Sequence, residues 1–220
     1  MRSIASAPGK VILFGEHFVV HGTSAILCSI DKRITASSQF IDEKKIKVKT
    51  ELGNKEIELD KISNFDEVSP KFLKPFLNIA YDVLKNNQCD NGIEIILESE
   101  IPHGVGLGSS SAACVAAVAS VNGLFRKLSK EEILKKAIEA EKTIFRNTSG
   151  ADSAISAYGG FLSYDTNNGF QELSLKNNFD LIITNSEQIH NTEQMVNQVK
   201  KYKEQNEKQF KEFCSREDQI

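Results

Sequence analysis

Residues 93–125 join a strand-like run, a loop of alternating glycines and a helix of small apolar residues, a succession that few folds accommodate. Ile93–Leu97 is short and apolar, Pro102-His-Gly-Val-Gly-Leu-Gly-Ser-Ser-Ser-Ala112 follows, and Ala112–Val121 is the most apolar stretch of the chain. Gly104, Gly106 and Gly108 lack a Cβ, so the backbone there can take positive φ and bring its N–H groups close to a ligand. Ser109, Ser110 and Ser111 stand where the helix begins, beside unpaired N–H groups and the positive end of the helix dipole. The segment reads as a phosphate cradle. It lacks the Gly-Lys-Ser/Thr ending of a P-loop, and its third glycine spacing is not that of the dinucleotide fingerprint. On local evidence a purely structural turn is an equal alternative.

The flanks give a mixed α/β chain. Ile4–Phe14 carries a Pro8-Gly9 break and reads as two short strands around a turn. Ile34, Ile46, Val48, Ile57 and Leu59 alternate with polar residues, predicting a half-exposed sheet with a hairpin turn at Gly53-Asn54. Apolar residues from Phe72 to Leu84 recur at helical spacing, and the glycine loop opens a helix running to about Phe125. Ser129-Lys-Glu-Glu132 predicts a capping box for a helix reaching about Phe145, and Ser149-Gly-Ala-Asp152 a second box for a short helix stopped by Gly159-Gly160. Strands at Phe161–Tyr164 and Leu181–Thr184 and a helix from about Thr192 complete the reading. The last twenty residues read as a solvated helix or a frayed end.

Composition narrows the classes. With 40% hydrophobic residues in 220, the chain can bury a real core, and a formal charge of -3 gives no basic field for nucleic acid. Cys28, Cys89, Cys114 and Cys214 are widely spaced, as in reduced thiols rather than a zinc or dithiol motif. Ala112–Val121 is half the roughly 20 residues of a membrane span, and the N-terminus has no secretory signal pattern. A cytoplasmic protein without nucleic-acid or membrane partners is the expectation.

Four further positions carry candidate chemistry. Lys10 follows the Pro-Gly turn at the start of a strand; taken alone, it is more often a surface lysine. Gly15-Glu16-His17 and Val19-Val-His-Gly22 place a carboxylate and imidazoles among hydrophobes. Glu141 lies near a helix C-terminus, where a carboxylate opposes the dipole. Asp152 is explained locally by its capping pattern. Phosphoryl transfer needs a phosphate cradle, a metal ligand, a cation and an acceptor for the hydroxyl proton, and all four occur here.

At this point the residues resemble the GHMP small-molecule kinases. Ala7-Pro-Gly-Lys-Val-Ile-Leu-Phe-Gly-Glu-His-Phe-Val-Val-His-Gly22 is similar to the family's first motif in the form that acts on mevalonate, and Pro102–Ala112 to the second, which binds ATP. Glu141-Lys-Thr-Ile-Phe-Arg-Asn-Thr-Ser-Gly-Ala-Asp152 is similar to the segment that carries a magnesium-binding glutamate and, eleven positions later, the catalytic aspartate. The resemblance implies ATP-dependent phosphorylation of mevalonate at its 5-hydroxyl, with phosphomevalonate, another small alcohol or a non-catalytic nucleotide-binding role as alternatives. It assigns Asp152 to accept the hydroxyl proton and Lys10 to lower that hydroxyl's pKa. Pro102, Gly104, Gly106, Leu107, Gly108, Ser109, Ser110, Ser111 and Ala112 would bind ATP. Ser110 with Glu141 would hold Mg²⁺, and Glu16, His17 and Thr192 would line the mevalonate site.

The implied architecture is a ribosomal-protein-S5-like N-terminal domain over residues 1–165, followed at 166–220 by the first part of a ferredoxin-like domain. Homodimers are the assembly that the resemblance allows. Two departures stand out. Thr148 occupies a position that is proline in many relatives. The family's third, glycine-rich motif is absent from the 68 residues that follow Asp152. The expectation is therefore a truncated C-terminal domain and weak or no turnover by the chain alone.

Overall fold

Alternation of apolar and polar residues dictates the sheet. The computed structural model describes the whole chain except residues 17–18, 20–22, 63–64, 66, 147, 166, 177–178, 186–191 and 218–220, and the side chains at 192–194, 196–197 and 217. Seven strands, β1 (Arg2–Phe14), β2 (Ala25–Ile41), β3 (Lys45–Thr50), β4 (Gly53–Glu58), β5 (Gly92–Ser99), β6 (Phe161–Asp165) and β7 (Gly169–Leu173), form one mixed sheet. Its order is β4-β3-β5-β2-β6-β7, with β1 also paired to β2; only β3 and β5 run parallel. In β3 and β5, Ile46, Val48, Ile93 and Ile95 are fully buried, while Lys45, Lys47 and Lys49 alternate onto the other face. There Lys49 and Gln39 hold Glu94 at 2.7 and 2.8 Å.

Of the helices α1 (Lys74–Asn86), α2 (Ser109–Asn122), α3 (Lys130–Glu141) and α4 (Ala151–Tyr158), α1, α2 and α4 pack on the sheet and α3 packs on these three helices. α1 buries Phe76, Leu77, Ile79, Ala80, Val83 and Leu84, the stripe expected from its spacing. α2 is apolar on nearly all sides because it is enclosed: Ala112, Cys114, Ala117, Val118 and Val121 are fully buried. A second cluster, centred on Leu27, Ile155 and Leu162, packs α4 against β2 and β6. The capping box of α3 forms as expected, Ser129 Oγ accepting from Glu132 N–H and the Glu132 carboxylate from Ser129 N–H. Lys130 Nζ then donates to the Tyr158 carbonyl at 3.1 Å and lies over the Tyr158 ring, tying α3 to the end of α4. Beyond β7 the chain adds α5 (Thr192–Gln205) and α6 (Glu207–Glu217), where Phe210 is buried; the ending is helical rather than frayed up to Glu217.

Local details depart from the sequence expectations in four places. The Pro8-Gly9 break does not divide β1. Pairing shifts there from Pro8 opposite Arg33 to Lys10 opposite Ser29, so β2 takes up the irregularity as a bulge and β1 runs straight on. The β3–β4 turn falls at Glu51-Leu52, because Thr50 Oγ1 closes it by accepting from Leu52 N–H and donating to the Gly53 carbonyl; Gly53-Asn54 begins β4. α3 ends at Glu141, four residues before Phe145, in a run of turns. Leu181–Thr184 is not a strand: no strand pairs with it among the described residues, and Leu181, Ile182 and Ile183 are exposed. The strand that takes the outer edge of β6 is Gly169–Leu173, whose mixed composition concealed it.

Candidate active site

The glycine loop and the start of β1 are built against each other. Gly9 lacks a Cβ, and one placed there would come 2.9 Å from the Leu107 carbonyl oxygen and 2.8 Å from Ile101 Cδ1. That gap lets the strand approach the loop, and Lys10 N–H donates to the Leu107 carbonyl at 2.9 Å. Gly108 caps α2 with φ of 71°, in the left-handed region that glycine favours. A Cβ at Gly108 would lie 2.8 Å from Lys10 Cγ, so the aliphatic stem of Lys10 runs directly beneath this residue. Lys10 is 5% exposed, and its Nζ reaches Asp152 Oδ1 at 3.3 Å. A surface lysine is thereby ruled out.

Asp152 sits in the first turn of α4, but the expected capping box is absent. Gly150, with left-handed φ, is the N-cap residue and no side chain caps the helix; Ser149 Oγ instead accepts from Ala151 N–H at 3.3 Å. The Asp152 carboxylate is left free to pair with Lys10, about one third exposed at the N-terminus of α4. Tyr164, on β6, steadies the preceding loop by donating its hydroxyl to the Ser149 carbonyl at 2.5 Å.

The loop has the openness a ligand requires. Around Gly104 and Gly106, both at positive φ, a Cβ would meet no atom within 4 Å. No side chain caps α2, so its first N–H groups are available, and Ser109 and Ser110 are half-buried beside them. Pro102 is exposed at the start of the loop, whereas Ala112 is buried and donates its N–H to the Gly108 carbonyl.

Glu141, at the last position of α3, is 5% exposed. Its Oε1 accepts from Ser111 Oγ at 2.5 Å, and its Oε2 accepts from Thr148 Oγ1 at 2.9 Å and Ser153 Oγ at 3.2 Å. The hydroxyl placed on Glu141 is thus that of Ser111, and Ser110 precedes it on the more open side of the helix. Burial and the nearby Glu141 carboxylate push the Cys114 thiol well above its ordinary range, in keeping with an inert thiol inside α2. The oxygen donors fit Mg²⁺, which takes one or two protein carboxylates and completes its shell with phosphate oxygens and water. Among the described residues no cluster of three or more acidic, His or Cys side chains forms an all-protein metal cage.

Other expected residues are only partly placed. Glu16 is exposed in the turn after β1, His17 lies outside the described residues, and Thr192 opens α5 with its side chain likewise outside them. Sequence reasoning passed over Ser153 altogether, and saw in Thr148 only a departure from the proline of many relatives. Small hydroxyl residues are common in loops and helix starts, and nothing in their spacing points to Glu141.

Residues 75–160 match the family model for the GHMP kinases N terminal domain. The chain is similar to mevalonate kinase of Pyrococcus furiosus, 36% identical over 176 residues that make up 75% of this chain and 52% of that protein. It thus spans about half the length of the curated relatives it matches. Among solved structures, Methanococcus jannaschii mevalonate kinase aligns with a TM-score of 0.70 at 29% identity, over 80% of this chain and 57% of that one. L. major mevalonate kinase in complex with R-mevalonate shares the fold, with a TM-score of 0.68 at 22% identity over 98% and 66% of the two chains. The sheet, the glycine loop and the Lys10–Asp152 pair thus surround a segment, residues 75–160, that matches the GHMP kinases N terminal domain, in a chain similar to mevalonate kinases.

Proposed function

We propose that this chain binds ATP and mevalonate and transfers the γ-phosphoryl group to the 5-hydroxyl of mevalonate. The observation that carries the reading is the Lys10–Asp152 pair at 3.3 Å, held directly under the glycine loop by the Lys10 backbone and stem. Relatives at 36% identity named mevalonate kinase support this substrate over other alcohols of the family.

The residues divide the work as follows. Gly104–Ser110 and the uncapped N-terminus of α2 receive the phosphates through backbone N–H groups. Asp152 accepts the proton of the attacking hydroxyl, and the Lys10 ammonium beside it stabilises the negative charge on that oxygen. A weakly basic aspartate suffices, because the transition state is loose and positioning supplies most of the rate. Glu141 and Ser110 would hold Mg²⁺, which when bound would supply positive charge to offset that of the phosphates. The mevalonate-binding role that the family resemblance gives Glu16, His17 and Thr192 is part of this proposal. The division into domains at residues 165/166, a homodimer and a cytoplasmic setting belong to the same proposal; among the described residues no helix is long and apolar enough to cross a membrane.

Incubating the chain with Mg·ATP and a panel of mevalonate, phosphomevalonate, homoserine and galactose, followed by phosphorus NMR, tests the reading. A new phosphomonoester with mevalonate is expected, formed slowly by a chain that spans about half its relatives and abolished by Asp152→Ala while ATP still binds. Turnover of a different panel member alone would overturn the substrate, and ATP binding with no phosphomonoester from any member even after prolonged incubation would favour a nucleotide-binding regulator.

A further inference from the structure

Glu141 presents an unusual arrangement for a buried carboxylate. It stands at a helix C-terminus, where the dipole disfavours negative charge, and among the described residues no cation pairs with it. Taking such a group out of water is costly unless hydrogen bonds replace the lost hydration. Three hydroxyls supply them, from three different places in the fold: Ser111 in the first turn of α2, Thr148 in the loop before α4, and Ser153 in the first turn of α4. A hydroxyl has a single proton to donate, and each of the three gives its proton to Glu141. Ser111 and Ser153 are themselves almost wholly buried, 2% and 0% exposed, so neither faces a ligand.

The two carboxylate oxygens are not equivalent. Oε2 accepts two hydrogen bonds and Oε1 accepts one, from the phosphate-loop helix. Oε1 therefore keeps the greater acceptor capacity. The Ser111 bond, at 2.5 Å, has the length of a charge-assisted hydroxyl–carboxylate contact.

We propose that Ser111 and Thr148, backed by Ser153, are positioning residues that clamp Glu141 so that Oε1 faces a metal ion carried by the nucleotide. This inference rests on the kinase reading above. Ser111 fixes the distance between the carboxylate and the phosphate loop, because it belongs to the helix whose N-terminus receives the phosphates. Thr148 and Ser153 fix the rotation of the carboxylate by holding its other oxygen.

The test measures binding rather than turnover. ATP affinity is read by displacement of a fluorescent trinitrophenyl-ATP from the full chain, once with Mg²⁺ and once with EDTA, and the ratio of the two dissociation constants is the contribution of the metal. Ser111→Ala and Thr148→Val are each expected to lower that ratio ~10-fold, the scale on which groups supporting a metal ligand act. The affinity of Thr148→Val in EDTA should stay at the parent value, and Ser111→Thr, which restores a hydroxyl, should recover the ratio. Should Ser111→Ala unfold, as circular dichroism would reveal, Thr148→Val, at a half-buried loop position, gives the same readout. An unchanged ratio in these variants alongside a collapsed ratio in Glu141→Gln would overturn the clamp and leave the kinase reading standing. A parent chain whose ATP affinity ignores Mg²⁺ would overturn the kinase reading and the clamp with it.

Discussion

Gly106 and Gly108 are both left-handed glycines of the same loop, yet replacing them with alanine should have different consequences. At Gly106 the added Cβ meets open space, so the cost is that of forcing an L-residue to positive φ, ~1–2 kcal/mol. At Gly108 the same backbone cost applies, and the Cβ also falls 2.8 Å from Lys10 Cγ, 3.3 Å from Cε and 3.6 Å from Cδ. Lys10 has little freedom to yield. Its backbone N–H is bonded to Leu107, its stem is buried and its Nζ is paired with Asp152. Overpacking of this kind adds ~1–3 kcal/mol, giving about 2–5 kcal/mol in all. Urea unfolding followed by far-ultraviolet circular dichroism measures both variants. With a slope of ~1–3 kcal/mol per molar urea, a difference of ~2 kcal/mol separates their midpoints by ~1 M. ATP binding should fall in both, at Gly106 because the Cβ would fill open space left for a ligand and at Gly108 because the Lys10 stem would be displaced. Equal midpoints for the two variants would refute the claim that Gly108 is required by the Lys10 stem.

Asp152→Asn removes the charge that faces Lys10 without changing shape. Water reaches the partly exposed carboxylate, so stability should fall by only ~1 kcal/mol, whereas turnover of the accepted alcohol should fall ~100-fold or more; retained turnover with lost stability would make Asp152 structural. The capping box of α3 should show in the acid limb of stability. Hydrogen bonds from Arg126 and from the Ser129 backbone lower the Glu132 carboxyl from its ordinary 4.5 to about 2. The folded value lies below the unfolded one, so the stabilisation is present above about pH 4.5 and is lost as pH falls toward 2. Glu132→Gln should flatten the stability curve in that window, and an unchanged slope on titrating both proteins in parallel would count against the cap.

The sequence by itself determined whatever depends on neighbouring residues. The spacing of Phe76, Leu77, Ile79, Ala80, Val83 and Leu84 specified α1, and the Ser129–Glu132 box specified the start of α3, because helical periodicity and capping are local. The strand–glycine loop–helix succession, together with Lys10, Glu141 and Asp152 in register, was enough to suggest the family. Tertiary structure decided which local reading survived. Ser149 and Asp152 have the spacing of a capping box, but Gly150 takes the N-cap position and Asp152 turns to a lysine 142 positions earlier in the chain. The bulge that keeps β1 continuous lies in β2, whose sequence carries no sign of the shift. Leu181–Thr184 has the composition of a strand and lacks a partner, while Gly169–Leu173 becomes one because β6 offers it an edge. The three hydroxyls on Glu141 arrive from separate elements and share no spacing, so only the packing of α2, α3 and α4 brings them to one carboxylate. Hydrogen bonds between distant segments satisfy buried charge without leaving a period in the chain, and for that reason this part of the site was illegible until the fold was known.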